Sequence, residues 1–166
     1  MRSRTGRGSS GVPHGFTAIE LLLVVVIMGL LMGIAVPVFE RTVARANLVS
    51  SARQMAADLR MHQQAAINAE DDQNTYQVVF DLDNNRYYLQ KNNQIMTIVY
   101  LPGTVQIASS NFPGQSNCLR FNIQGRPRDG GGTITLRCKT GDLYYVIVAA
   151  ITGRVRISEE PPEGSD

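Results

Sequence analysis

The 166-residue sequence predicts an α+β protein in which a long N-terminal helix, membrane-spanning in its first half, packs on a small antiparallel β-sheet head. Three observations support this prediction. Residues 16–39 form one apolar run with a single charge, Glu20. Over residues 40–70 apolar side chains recur at spacings near 3.6, which is typical of an amphipathic helix. After residue 71 they alternate with a period of 2, which is typical of strands.

The apolar run is long enough to span a bilayer. Its residues extend roughly 36 Å as a helix at ~1.5 Å per residue. Arg2, Arg4 and Arg7 precede it without any acid, so the positive-inside rule predicts a cytoplasmic leader and an exported head. A secretory signal peptide would be shorter and would place its small cleavage residue after the run, whereas Gly15 lies before it. A plain signal anchor is the alternative, but it does not explain Glu20, whose carboxylate costs about 2–3 kcal/mol near the bilayer centre.

The junction before the run carries a specific motif. Residues 15–22, GFTAIELL, resemble the class III signal of type IV pilins and type II secretion pseudopilins. The resemblance implies that prepilin peptidase cuts between Gly15 and Phe16 and methylates Phe16. It also implies that Glu20 pairs with the N-terminal amine of a neighbouring subunit during assembly. The physics agrees, because a buried carboxylate needs a buried cation and the newly cut amine supplies one.

Three further residues of the run bear on its flexibility. Gly29 and Gly33 offer a small face for close helix packing, although glycine is also common in membrane helices generally. Pro37 removes a backbone donor inside the helix and is expected to kink it. In pilins the stretch between comparable glycine and proline positions can unwind on assembly, and the resemblance implies the same here.

The rest of the chain is predicted to be one helix followed by a β-rich head. The apolar stripe of the helix is narrow and alanine-rich, which suits packing of a sheet onto it; its members are Ala44, Leu48, Ala52, Met55, Leu59 and Ala66. The alternating segments predict strands at 75–80, 86–90, 94–100, 104–108, 118–123, 133–138, 143–150 and 154–158. The predicted division is a cleaved leader (1–15), a transmembrane and assembly helix (16–39), an amphipathic helix (40–70), a β-rich head (71–158) and an acidic tail (159–166).

The two cysteines suggest a disulfide. Cys118 and Cys138 are an even pair in a head predicted to be exported. If Cys118 faces Cys138 across a hairpin, the glycine-rich tip of that hairpin falls at residues 124–132. The bond would close a loop of about 20 residues, worth roughly 3 kcal/mol in the chain-entropy model. The alternative is two unrelated buried thiols.

The carboxyl half carries a second resemblance. Arg120-Phe121-Asn122, the GGTITL of 131–136, the YVIV of 145–148 and the GRVR of 153–156 resemble the GspH/FimT family of minor pilins and H-type minor pseudopilins. The pilin-like fold that this implies agrees with the α+β prediction. Many members of that family lack the cysteine pair.

Composition and motifs favour a structural subunit over an enzyme. We find no catalytic set, no metal-ligand spacing and no cofactor motif. The resemblances imply a minor pseudopilin that helps to initiate or cap a type II secretion pseudopilus or a type IV pilus-like fibre. They also imply its partners: prepilin peptidase, major and minor (pseudo)pilins, the inner-membrane assembly platform and the membrane itself. The expected location is a single pass through the cytoplasmic membrane with an exported head, followed by incorporation into an extracytoplasmic fibre.

A DNA-binding minor pilin for DNA uptake is the competing hypothesis. The first 15 residues hold three of the 16 basic residues and no acid, so the remaining chain is close to neutral. Residues 120–156, however, contain seven basic residues and only two acidic ones. Some FimT-like relatives bind DNA through basic residues near the carboxyl end. The candidate contacts are Arg126, Arg128, Arg154 and Arg156. A solvated surface is the favoured interpretation, because the acidic tail follows directly. A free-standing anchored receptor that forms no fibre is a third class of function. It would be favoured if replacing Glu20 with alanine left the function intact.

Overall fold

The computed structural model describes residues 15–69, 75–114 and 117–162. The chain forms two compact units, the first ending at Phe39 and the second beginning at Glu40. Residues 1–14 of the predicted leader and the last four residues of the predicted tail lie outside the described residues.

A single long helix, α1, runs from Ala18 to Asn68 and continues through Pro37. Within the second unit it buries one face. The six residues predicted to form its apolar stripe are all buried, and they are joined there by Ser51, Ala56 and His62. The predicted stripe therefore faces the core that the helix shares with the strands.

In the described residues eight antiparallel strands follow, near the predicted positions. They are β1 (Tyr76–Asp81), β2 (Arg86–Lys91), β3 (Gln94–Tyr100), β4 (Val105–Asn111), β5 (Cys118–Phe121), β6 (Gly132–Cys138), β7 (Leu143–Val148) and β8 (Val155–Ser158). The predicted fold class, a long helix on an antiparallel β head, is confirmed. The head nevertheless contains two sheets. We call β3-β2-β1-β5 sheet I and β4-β6-β7-β8 sheet II.

The core of the second unit lies where α1 and the inward faces of both sheets meet. Its largest fully buried side chains are Tyr87, Phe121, Leu48, Met55, Leu59, Leu119, Ile134 and Leu136. The Tyr87 hydroxyl donates a hydrogen bond of 2.5 Å to Oδ2 of Asp58 on α1, and burial raises the pKa of Tyr87. The hydrogen bond gives the one polar atom of this buried ring a partner, as a buried tyrosine requires.

Asn85 ties the two sheets together. It ends the turn between β1 and β2 with a φ of +52°, a conformation that asparagine tolerates better than most residues. Its side-chain amide donates to the Val105 carbonyl (2.6 Å), and its side-chain oxygen accepts from the Ile107 amide (3.0 Å). The turn of sheet I therefore holds the first strand of sheet II.

His62 is a buried titratable group between α1 and sheet I. Its side chain is 4% exposed, and its Nε2 lies 2.8 Å from the Gln90 carbonyl, which it can reach only as a donor. The ring also packs edge-on against Tyr76 at 5.4 Å. Burial lowers the pKa of His62, and this outweighs the opposite effects of the Gln90 and Gln77 backbone groups and of Asp58.

Acidification is expected to destabilise the second unit through His62. Because the folded-state pKa lies below the ordinary value of about 6.5, the unfolded chain binds the extra proton first as the pH falls. Stability is then full above about pH 6.5 and falls below it, by up to about 1.4 kcal/mol per pH unit, until the folded-state pKa is reached. Urea unfolding of the full chain in detergent micelles at several pH values measures this slope. His62→Gln keeps a hydrogen-bond donor for the Gln90 carbonyl and is expected to reduce the slope of the unfolding free energy against pH. Equal slopes in wild type and variant would show that other groups cause the loss of stability in acid.

Candidate functional site: the N-terminal junction and the exposed surfaces

The helix begins at the proposed processing junction with a capping box. The Thr17 hydroxyl oxygen lies 3.3 Å from the Glu20 amide nitrogen. The Glu20 carboxylate accepts hydrogen bonds from the Thr17 amide (2.8 Å) and from the Thr17 hydroxyl (2.9 Å). This reciprocal arrangement satisfies backbone donors that the first turn of a helix leaves unpaired. Gly15 and Phe16 precede it in non-helical conformation, and Phe16 is 90% exposed.

Thr17 is the residue that the sequence reasoning missed. The spacing T-x-x-E before an apolar run is a recognised helix-start signal and could have identified it. In the uncleaved chain Glu20 therefore has two partners already, both on Thr17. The pairing of Glu20 with an amine of another subunit stays a prediction.

The apolar part of α1 is exposed along its whole length. Every residue from 15 to 43 is exposed, including all the large apolar side chains of the run. Among the described residues, α1 is the one helix long and apolar enough to cross a membrane. A side chain added at Gly29 or Gly33 would meet nothing within 4 Å, so neither glycine is required by packing within this chain. Their predicted role in flexibility or helix packing stays a prediction.

The structure does not contain the predicted disulfide. Both cysteines are buried free thiols, and they lie on different sheets: Cys118 pairs with Val79 on sheet I, whereas Cys138 pairs with Val105 on sheet II. The hairpin that would have brought them face to face does not form, because β5 adds to the edge of β1. Each sulfur has its own neighbours, Gln77 Oε1 at 3.8 Å from Cys118 Sγ and Thr140 Oγ1 at 2.8 Å from Cys138 Sγ.

The predicted basic surface is divided by the fold. Arg120 forms a two-point ion pair with Asp129, with both contacts at 2.8 Å, and Arg128 also has a partner. Lys139 lies elsewhere, on the turn between β6 and β7. Arg126, Arg154 and Arg156 are exposed.

One half-buried amide joins the two loops that carry arginines. Gln63 Nε2 on α1 donates to the carbonyl of Gly125 (2.6 Å) and to that of Gly153 (3.0 Å). Arg126 and Arg154 follow these glycines directly, so their backbones are neighbours although the sequence separates them by 28 positions. Arg126 and Arg128 also line an open cleft of about 540 Å³ with Ile123, Ala150 and Ile151. No signal in the sequence identifies Gln63, because a glutamine on the polar face of a helix is common.

The outer edge of sheet I exposes apolar side chains. Strand β3 has sheet neighbours on one side only, and Ile95, Met96 and Tyr100 are 53%, 61% and 64% exposed. A long apolar edge strand is a ready surface for contact with another chain.

The turn at 81–85 is structural. The Asp81 carboxylate accepts hydrogen bonds from Asn84, Arg86 and Tyr88, and these bonds, led by those from Asn84, lower the pKa of Asp81 to about 2. Nowhere in residues 15–69, 75–114 and 117–162 do three histidine, cysteine or acidic side chains come together in a way that could hold a metal ion.

A long helix with an exposed apolar first part and a second part packed on antiparallel sheets defines the pilin-like class of folds. Comparison of structures agrees: two solved structures of EpsH, a minor pseudopilin from the type 2 secretion system of Vibrio cholerae, match this chain at 17% sequence identity. One match covers 68% of this chain and 96% of the EpsH chain with a TM-score of 0.53; the other covers 73% and 98% with a TM-score of 0.52. No family model and no curated protein matches the sequence. The chain therefore has a pseudopilin-like fold, and at this identity the likeness concerns the fold alone.

Proposed function

We propose that the protein is a minor pseudopilin of the GspH/FimT type, a structural subunit that helps to initiate or cap a type II secretion pseudopilus or a type IV pilus-like fibre. One observation carries the proposal: an entirely exposed apolar helix of membrane-spanning length, with one carboxylate in its first turn, continues into a head of pseudopilin-like fold. A free-standing soluble protein has no use for so large an exposed apolar surface. The role is assembly, not catalysis.

In this proposal the chain passes through two environments. Prepilin peptidase removes residues 1–15 and methylates Phe16, and the run 16–39 holds the protein in the cytoplasmic membrane with its head exported. Assembly by the inner-membrane platform then moves the apolar helix from lipid to the core of a fibre, among major and minor (pseudo)pilins. The exposed edge of β3 offers a further apolar surface for contact between neighbouring heads.

Intact-mass analysis after co-expression with a prepilin peptidase tests the first step. The expected product lacks residues 1–15 and carries one additional methyl group on Phe16. Gly15→Leu should block both changes, because the peptidase recognises a small residue at the cut, whereas Gly29→Leu should leave both intact. Co-purification of the processed protein with sheared fibres of its host tests the second step. An unprocessed chain, or a processed chain absent from every fibre, would contradict the proposal.

DNA binding at the carboxyl end of the head is the second candidate function. The observation that favours it is the meeting of the two arginine-bearing loops at Gln63, which places Arg126 close to Arg154. Phosphate contacts by a small group of arginines would give affinity without sequence preference. Arg156 extends the group along β8.

Fluorescence anisotropy with labelled DNA, on the full chain in detergent micelles, tests this candidate. Binding through phosphates would weaken linearly on a log–log plot against salt concentration. Replacing Arg154 and Arg156 with alanine is expected to reduce the slope by about one per lost contact. Arg53→Ala, an exposed arginine on α1 far along the chain from these loops, is the matched control. Absence of binding at low salt would exclude DNA as a ligand.

A further inference from the structure

A cationic cleft lies where the second unit begins. Its volume is about 860 Å³, and it is lined by Arg41, Thr42, Arg45, Ala46, Lys139, Thr140 and Asp142. The first four residues belong to α1 and the last three to the turn between β6 and β7. Three cations from two separate elements therefore face one cleft, which shares no lining residue with the cleft beside Arg126 and Arg128.

The positive charges of the cleft are poorly neutralised. Among the described residues, the side chains of Arg41 and Lys139 have no hydrogen-bond or ion-pair partner. Arg45 Nη2 lies 3.6 Å from Oε1 of Glu159, but both side chains are about 60% exposed, and such pairs contribute little. The Glu40 carboxylate is adjacent along the chain but does not line the cleft.

Asp142, the one acid in the lining, is engaged by its own turn. Its carboxylate accepts hydrogen bonds from the Thr140 hydroxyl (2.8 Å) and the Cys138 thiol (3.5 Å). The carboxylate stays negative, and its pKa is lowered mainly by the Thr140 and Cys138 hydrogen bonds and to a smaller extent by the charge of Arg45. Three cations and one acid still leave the lining with a net positive charge. The ligand that this set favours is an anion with several oxygens, because arginine binds phosphate at two points and lysine adds a compact charge.

The position of the cleft along the chain selects the source of the phosphate. Arg41 follows the end of the apolar run by two residues and Arg45 follows by six, which places them within about 10 Å of its end along a helix. The headgroup layer on each side of a bilayer is about 5–8 Å thick. Lys139 lines the same cleft as these two arginines.

We propose that this cleft binds the phosphate of an anionic phospholipid while the protein is held in the membrane. The inference rests on the proposed insertion of residues 16–39. A bound headgroup would hold the base of the head at the bilayer surface, and it would have to be released when the subunit leaves the membrane for a fibre. The cleft thus adds a lipid-dependent step to assembly.

Native mass spectrometry of the full chain tests the site. The protein is inserted into nanodiscs containing equal parts of phosphatidylcholine and phosphatidylglycerol, released into mild detergent, and weighed with its retained lipids. Wild type is expected to retain phosphatidylglycerol over phosphatidylcholine by about fivefold or more, as expected for two or more cations close to one anionic headgroup. The double variant Arg41→Gln, Lys139→Gln is expected to retain both lipids equally. Arg53→Gln, which removes an exposed arginine of α1 outside the cleft, should behave as wild type.

The outcomes separate this inference from the proposed function. Insertion of wild type with no lipid preference, or equal preference in wild type and the double variant, would overturn the lipid site and leave the membrane anchor standing. Failure of wild type to insert would overturn both. Displacement of the lipid by millimolar inorganic phosphate would identify a free-phosphate site and overturn the lipid source. Far-UV circular dichroism of each variant checks that the fold is retained.

Discussion

Replacing Glu20 with glutamine is expected to abolish recruitment of the protein into a fibre while leaving its membrane insertion and processing intact. Glutamine is nearly isosteric and keeps an oxygen that can accept from Thr17, so the helix start survives. The negative charge is lost, and the N-terminal amine of the neighbouring subunit would be buried without a partner. Breaking one side of a buried ion pair costs about 3–5 kcal/mol, which corresponds to a loss of about 100-fold or more in recruitment.

Shearing of fibres followed by immunoblotting of the cell-free fraction measures recruitment. Glu40→Gln removes an exposed carboxylate just beyond the apolar run and serves as the control, with recruitment equal to wild type. Thr17→Val removes the hydroxyl of the capping box and tests that contribution alone. If Glu20→Gln assembled normally and Thr17→Val did not, the carboxylate would act as a helix cap and the proposed intersubunit pair would be wrong. Normal assembly by both variants would show that neither the charge of Glu20 nor the Thr17 hydroxyl is needed for recruitment, whereas absence of wild type from every sheared fraction would favour an anchored receptor that forms no fibre.

Gly153→Ala is expected to destabilise the head strongly. Gly153 is buried with a φ of +67°, and an added Cβ would lie 2.2 Å from the Gly125 carbonyl oxygen and 2.6 Å from Gln63 Nε2. The left-handed conformation costs an alanine about 1–2 kcal/mol, and forcing the two loops apart adds about 1–3 kcal/mol. The expected loss is therefore about 2–5 kcal/mol, a large part of the stability of an ordinary domain.

Gly141→Ala is the matched control for this substitution. Gly141 also has a positive φ, +97°, but nothing lies within 4 Å of an added Cβ. It should lose only the conformational part, about 1–2 kcal/mol. Urea unfolding of the full chain in detergent micelles, followed by tyrosine fluorescence, gives the free energy of unfolding of each variant. Equal losses of unfolding free energy at the two positions would show that the contacts among Gln63, Gly125 and Gly153 can adjust to an added Cβ without further cost.

The local pattern was sufficient for the secondary structure of the head. The stripe from Ala44 to Ala66 and the alternation in the eight strands record which side of each element is buried, and that information repeats every few residues. The position of the helix start was equally local, since Thr17 and Glu20 contact each other three residues apart. The capping box was nevertheless not predicted, because Glu20 was interpreted only as a charge inside an apolar run.

The pairing of the strands could not be predicted from the local sequence. Cys118 and Cys138 lie on consecutive strands with a glycine-rich segment between them, and a hairpin was the nearest arrangement in sequence. β5 instead pairs with β1, about 40 residues earlier, and β6 pairs with β4 and β7. Such pairing depends on how the inward faces of all strands cover one helix, and no single strand records that.

The sequence by itself determined the elements of this protein: the apolar run with Glu20, the amphipathic continuation of the helix and the eight strands, because burial imposes a short period on each. Only the tertiary structure decided which distant residues meet. It placed the cysteines on separate sheets, joined the loops of Arg126 and Arg154 through Gln63, and brought Lys139 to Arg41 and Arg45. These groupings arise from packing two sheets against one helix, where each contact spans many residues and leaves no periodic trace in the chain.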